Sequence, residues 1–203
     1  MEPIILASGS PRREEYFRLL GLPFNTLPSP VNEDFDNTHD PRLVAQELAL
    51  RKVKKVVEIL EAEPPPASAK AGGTWVFGAD TLISLNGTIY GKALDRKEAG
   101  RMLLAFGGNT HEVVTAMALY NGRSKNTDSR VVVSSVSFAP LAPGEIEWYL
   151  DSGEWQDAAG AYKIQGLASC FITRIEGSYS SIVGLPLREF YVMLRDNGYP
   201  FGS

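Results

Sequence analysis

The side chains best suited to chemistry are a cluster of hydroxyls and guanidiniums near the start and a scatter of carboxylates and lysines further on. Ser8, Ser10, Arg12 and Arg13 sit in the run Ile4-Ile5-Leu6-Ala7-Ser8-Gly9-Ser10-Pro11-Arg12-Arg13. Three β-prone residues lead into a tight turn, and an amphipathic pattern from Glu14 to Leu20 closes at Gly21. This predicts strand, turn and helix N-terminus. Ser10 suits an N-cap, and Pro11 the first helical position, where no N–H is needed. Free backbone N–H groups and the helix dipole favour an anion at such a turn. Hydroxyls and guanidinium forks add a cradle for phosphate oxygens. A capped helix with solvated arginines explains Ser10 and Pro11. It does not explain two arginines in a first turn, where the dipole disfavours cations.

Acidic candidates further along are Glu33, Asp80, Glu112 and Asp157; basic ones are Lys52, Lys92 and Lys163. With only two histidines, His39 and His111, and one cysteine, Cys170, these groups fit phosphate chemistry with a hard divalent cation. Mg²⁺ is the first choice, with Mn²⁺ or Co²⁺ as alternatives. Asp80 follows Gly78-Ala79 at an expected strand end, with Thr81 beside it. It could bind the metal or take a proton from an attacking water. A hairpin rather than a helix comes next, which weakens a capping role. Glu33, in the acidic loop Val31–Asp36, reads equally well as a metal ligand or a surface acid. Lys52 reads on spacing alone as one of several solvated lysines of a helix. Lys92, after Gly91 at a hairpin end, is better placed. The amide of Gln165 offers a donor and an acceptor, matching the imide edge of uracil or thymine. The competing reading is a polar residue at a strand edge. His111 reads as structural, Cys170 as a core filler in a strand, and Trp148 and Tyr149 as core.

The elements that must position these groups predict one α/β domain over 1–203, a mixed twisted sheet with flanking helices. Phe24–Leu27 reads as a short strand. From Pro41 an apolar stripe through Leu43, Val44, Leu48, Val53, Val56 and Leu60 predicts a helix. Residues 61–73, rich in proline and alanine, read as a surface insert. A strand reaches Asp80, and Asn86-Gly87 predicts a type I′ hairpin. Asp95 should cap a helix that stops at Gly107-Gly108. Strands follow at His111–Tyr120 and Arg130–Phe138, then a helix from Pro143, a turn and strand within Gly160–Arg174, a polar loop at Gly177–Ser181 and a last helix over Arg188–Asn197. Acidic side chains outnumber basic ones by 24 to 20, which argues against gripping a nucleic-acid backbone by bulk charge. A single cysteine excludes an internal disulfide. No apolar run is long enough for a membrane span and no leader pattern is evident, so a cytoplasmic location is expected.

Nine segments occur in an informative order. They are Ser8-x-Ser10-Pro11-Arg12-Arg13, Glu33, the helix with Lys52, Gly78-Ala79-Asp80-Thr81, Gly91-Lys92, Thr110-His111-Glu112-Val113, Gly160-Ala161-Tyr162-x-Ile164-Gln165-Gly166, Glu176-Gly177-Ser178-Tyr179-Ser180 and Val183-Gly184-Leu185-Pro186-Leu187. Together they resemble the Maf family of nucleoside triphosphate pyrophosphatases, first described as septum-formation inhibitors. The resemblance implies a fold related to inosine triphosphate pyrophosphatases, with a cleft between two lobes. It implies hydrolysis of a nucleoside triphosphate to the monophosphate and pyrophosphate, with Asp80 as proton acceptor. It also implies that Arg12, Thr81 and Gln165 set base specificity. Ser8, Arg13, Lys52 and Lys92 would attend the phosphates, Glu33 a metal or water, and the chain would form a homodimer. The Tyr-x-Ile-Gln-Gly and Gly-Ser-Tyr-Ser forms resemble the dTTP/UTP branch rather than the 7-methyl-GTP branch. A non-catalytic regulator of cell division is the alternative from another class. Asn32, Ala93 and the insert depart from the common family pattern.

Overall fold

A computed structural model describes residues 1–32, 40–62 and 73–202. Glu33 and residues 63–72 of the expected insert lie outside them, while Glu61 and Ala62 belong to the preceding helix. Strand β1 (Ile4–Leu6) leads through the Ser8–Ser10 turn into α1 (Pro11–Leu19), and β2 (Phe24–Thr26) returns beside it. Helix α2 (Pro41–Ala62) precedes the hairpin of β3 (Trp75–Leu85) and β4 (Thr88–Tyr90). Its turn residues Asn86 and Gly87 have φ of 52° and 81°, the left-handed pair that a type I′ turn requires. Helix α3 (Arg96–Phe106) starts where the Asp95 carboxylate accepts the Glu98 N–H at 2.7 Å. Then come β5 (Thr110–Asn121), β6 (Asn126–Phe138), α4 (Pro143–Asp151), β7 (Ile172–Glu176), α5 (Tyr179–Val183) and α6 (Leu187–Asp196).

The seven strands form one sheet, ordered β2-β1-β3-β5-β6-β7 with β4 also on β3. β1 pairs in parallel with β2 and β3, and the other ladders are antiparallel, so the sheet is mixed as expected. β5 lines one side of β3 from Trp75 to Ser84. On the other side β1 reaches only to Phe77, and β4 begins only at Ile83. Among the described residues, no strand pairs with Gly78–Leu82 on that side. Asp80 and Thr81 therefore lie in mid-strand beside a gap, not at a strand end as their sequence context suggests.

Alternation along β3 sends even and odd side chains to opposite faces. Val76 and Leu82 pack under α2 with Leu48, Val53 and Val56. Trp75, Phe77 and Ala79 pack on the other face with Phe17 of α1 and Phe190 of α6. A separate core joins the far ends of β3, β5 and β6 to α3, α4 and the segment around Tyr162. These cores make two lobes, and the gap in β3 lies where they meet. Gly78 fixes the distance of α2: a Cβ there would lie 2.9 Å from Val53 Cγ2 and 3.2 Å from the Ala49 carbonyl. That close approach brings Lys52 down onto the strand.

Several local expectations are corrected. The run holding Cys170 is a 3₁₀ helix, Leu167–Phe171, with the cysteine exposed rather than filling the core. Strand structure begins only at Ile172. The Gly177–Ser181 loop holds the start of α5, whose cap is the Ser178 hydroxyl accepting the Ser181 N–H. Tyr149 is fully buried, but Trp148 is half exposed, because Ile146, Tyr149 and Leu150 already supply the inward face of α4.

Candidate active site

A cleft of about 1100 Å³ opens at the gap in β3. Its walls include Ser8, Ser10, Arg12 and Arg13 from the β1–α1 turn, Lys52 from α2, and Asp80 and Thr81 from β3. Lys92, Asp157, Lys163 and Gln165 complete its rim. Every described residue singled out above as a site candidate reaches this cleft except Glu112, which is half-buried beside an Arg42 partner at 3.3 Å.

The two faces of β3 divide the cleft. On the α2 face the Lys52 ammonium donates to Asp80 Oδ1 at 2.5 Å, with both side chains only 8% exposed. Lys52 is thus a buried member of the site and not a solvated lysine. On the other face Arg13, itself buried, donates from Nη1 to Ser8 Oγ at 2.9 Å and from Nη2 to Thr81 Oγ1 at 3.2 Å. Its Nε donates to the Gly184 carbonyl at 2.9 Å. One guanidinium thereby ties the first turn to β3 and to the α5–α6 link. Gly184 has φ 127°, a conformation that favours glycine. Ser10 holds the N-cap position of α1, but its side chain makes no capping bond; its N–H donates to Ser8 Oγ at 3.3 Å. Partial burial lowers the pKa of the Arg12 guanidinium, while Glu15 and Asp157 pull it upward. Arg12 stays a cation at the cleft wall.

Lys92 is exposed just beyond β4, and its backbone is held by an isolated bridge to Ala159 and by the Gly160 N–H donating to the Gly91 carbonyl at 2.8 Å. Gln165 lies not in a strand but in an exposed turn, closed by the Gly166 N–H on the Lys163 carbonyl at 3.0 Å. The Leu167 N–H caps onto Glu154 Oε2 at 2.8 Å, which holds the turn outward. Ile83, Val113, Tyr162, Ile164 and Ile182 line the Thr81 side, so this half of the cleft is largely apolar. Such a wall suits a flat base, and the cationic wall suits phosphates.

Tyr162 is anchored from below. His111 is buried at the start of β5, and its Nε2 lies 2.8 Å from the Tyr162 hydroxyl. Burial pushes the His111 pKa down from 6.5 to about 4 and raises that of Tyr162. The folded chain therefore refuses a proton that the unfolded chain accepts below 6.5. His111 should contribute stability that is complete above that value and is lost as pH falls to about 4, at most about 3 kcal/mol. Urea unfolding at neutral and at mildly acid pH checks this. Wild type should lose more stability across the interval than His111→Phe, and equal losses would refute it.

Among the described residues no group of three or more His, Cys, Asp or Glu side chains could hold a metal. The donor chemistry still fits a hard cation of the Mg²⁺ kind, which takes one or two carboxylates and completes its shell with water and substrate phosphates. Asp80 is such a carboxylate, set between cationic side chains in the cleft.

A family model described as Maf-like protein matches residues 3–197. The chain belongs to the Maf family. A dTTP/UTP pyrophosphatase of Symbiobacterium thermophilum is 40% identical over 98% of this chain and 96% of its own length. Proteins of the same description from Yersinia pestis and Aromatoleum aromaticum are 40% and 41% identical, over 96% and 97% of this chain and 92% and 96% of their own lengths. Among solved structures, the Ham1 protein of Staphylococcus aureus aligns with 96% of this Maf chain and 99% of its own at 14% identity, with a TM-score of 0.46. Sequence reasoning missed Thr115 and the Gly184 carbonyl, which support the site from behind. A threonine in an apolar strand reads only as a β-former.

Proposed function

We propose that this Maf protein hydrolyses dTTP and UTP to the monophosphate and pyrophosphate. The observation that carries the reading is the Lys52–Asp80 pair at the unpaired stretch of β3, between a cationic wall and an apolar one. The names of its relatives support the same chemistry.

In this reading Arg12, Ser8, Ser10 and Lys92 hold the triphosphate, and Arg13 fixes the Ser8 hydroxyl. Lys52 orients the Asp80 carboxylate through Oδ1. Asp80 takes the proton of a water aimed at the α-phosphorus; the new P–O bond forms as the bond to the bridging oxygen breaks, and pyrophosphate leaves. Positioning and charge stabilisation supply most of the rate. Asp80, with the substrate's own phosphates, would hold a divalent cation such as Mg²⁺, which neutralises negative charge on the triphosphate. Thr81 and Gln165 read the base. We place the protein in nucleotide-pool housecleaning, as a cytoplasmic homodimer. No helix among the described residues is long and apolar enough to cross a membrane.

Incubation with a panel of nucleoside triphosphates and Mg²⁺, scoring pyrophosphate against orthophosphate, tests the proposal. Pyrophosphate from dTTP and UTP is expected. A preference for 7-methyl-GTP would move the substrate class, and no release from any triphosphate would leave a regulator. Gln165→Glu should lower kcat/KM for dTTP and UTP by about tenfold, because a carboxylate cannot donate to a base carbonyl. Since Gln165 is exposed, the melting temperature should hold. Equal losses across all bases would make Gln165 a structural residue.

A further inference from the structure

The hydroxyl of Thr81 is wired from behind. Thr115 on β5 is fully buried, faces Thr81 across the ladder and is not part of the cleft wall. Its Oγ1 donates to the Ser181 carbonyl at 2.8 Å. A carbonyl can only accept, so the single hydroxyl hydrogen of Thr115 is spent there. Thr115 Oγ1 and Thr81 Oγ1 lie 3.0 Å apart. In that contact Thr81 must therefore be the donor. Thr81 Oγ1 also accepts from Arg13 Nη2 at 3.2 Å. Its hydrogen and one lone pair are thus both committed inside the protein. What remains for the cleft is one lone pair.

Ser8 makes the contrast. Its Oγ accepts from Arg13 Nη1 at 2.9 Å and from the Ser10 N–H at 3.3 Å, which leaves its hydrogen for donation. The same guanidinium holds one hydroxyl as a donor and the other as an acceptor, and the difference between them is Thr115.

We infer that Thr115 is a positioning residue for substrate choice: by taking the Thr81 hydrogen it makes Thr81 an obligate acceptor, matched to a base edge that carries an N–H. This rests on the proposed pyrimidine nucleoside triphosphate pyrophosphatase activity, with the base on the apolar side of the cleft. An imide such as uracil or thymine offers N3–H to the Thr81 lone pair. Cytosine offers a bare lone pair at N3, and two acceptors then face each other in a dry site.

Thr115→Val keeps the side-chain shape but removes the acceptor for the Thr81 hydrogen. That hydrogen is then free to turn into the cleft and meet an acceptor there. The ratio of kcat/KM for UTP over CTP is expected to fall by about tenfold. Thr115→Ser, which restores both hydrogen bonds, should return the wild-type ratio. In a Thr81→Val background Thr115→Val should leave the ratio unmoved, an outcome that a merely structural role would not produce. A ratio within about twofold of wild type in folded Thr115→Val overturns the inference, as does the same fall in the Thr81→Val background. If thermal melts show that Thr115→Val does not fold, Thr115→Cys, a poor acceptor of similar shape, makes the same test. A wild-type chain that cleaves neither UTP nor CTP would instead sink the proposed activity. Binding of UMP against CMP by calorimetry then decides Thr115 on its own, with the same ratios expected.

Discussion

Asp80→Asn should cost about a thousandfold in kcat while leaving a folded protein. The exchange keeps the shape of the side chain and an acceptor oxygen for the Lys52 ammonium, which now reaches Asp80 Oδ1 at 2.5 Å. It removes the negative charge and the capacity to take a proton. A positioned general base contributes roughly a hundred- to ten-thousandfold, so the loss should fall within that range. Stability should drop by only about 1–3 kcal/mol, because one charge-assisted hydrogen bond becomes a weaker one. Substrate contacts on the cationic wall and at Thr81 are untouched, so any rise in KM should come from the weaker hold on the divalent cation and be reduced at high Mg²⁺. Steady-state pyrophosphate release with dTTP and a thermal melt of the same preparation check both halves. A rate within tenfold of wild type would remove Asp80 from the chemistry. A protein that fails to melt cooperatively would show that the Lys52–Asp80 pair is a fold requirement first.

Much of this arrangement is legible in the sequence, and the parts that are not share a cause. The β1–α1 turn, the Asn86-Gly87 hairpin and the Asp95 cap are local: their residue types dictate their backbone within a few positions. Lys52 was not legible. Three neighbouring cations, Arg51, Lys54 and Lys55, mark that part of α2 as solvated, and only the contact of α2 with Gly78 turns Lys52 inward. The mid-strand place of Asp80 was hidden for a related reason. A carboxylate interrupting an apolar run reads as a strand end, yet β5 carries the ladder straight past it. Gln165 looked like a strand residue because its apolar neighbours alternate. The Gly166 N–H on the Lys163 carbonyl instead closes a turn, and the chain leaving it is held by Glu154, thirteen residues earlier, which accepts the Leu167 N–H. Thr115 carried no signal, since its role lies in which partner receives its hydrogen. Pairings between distant segments decided each of these cases, and composition in a window does not encode them.

Arg13→Lys should be the most damaging conservative exchange in the molecule. The guanidinium reaches three acceptors in divergent directions: Ser8 Oγ, Thr81 Oγ1 and the Gly184 carbonyl. A lysine ammonium is a single point at the end of a flexible stem and cannot span that fork. At least one of these acceptors, in a site where Arg13 is only 7% exposed, would be left without its donor. Hydrogen bonds to charged groups are worth about 1.5–3 kcal/mol each, so a loss of roughly 2–4 kcal/mol is expected. For a domain of this size that is a fall of about 10 °C in melting temperature. The β1–α1 turn and the α5–α6 link would also lose their common anchor, shifting Ser8 and Thr81 together, so kcat/KM for dTTP should drop by about a hundredfold. Arg12→Lys is the matched control. Arg12 is only half-buried at the cleft wall and keeps its charge as lysine, so that variant should raise KM and hold its melting temperature. If Arg13→Lys melts with wild type, the three-way tie does not hold the lobes, and the cleft must owe its shape to the packing of α1 and α6 alone.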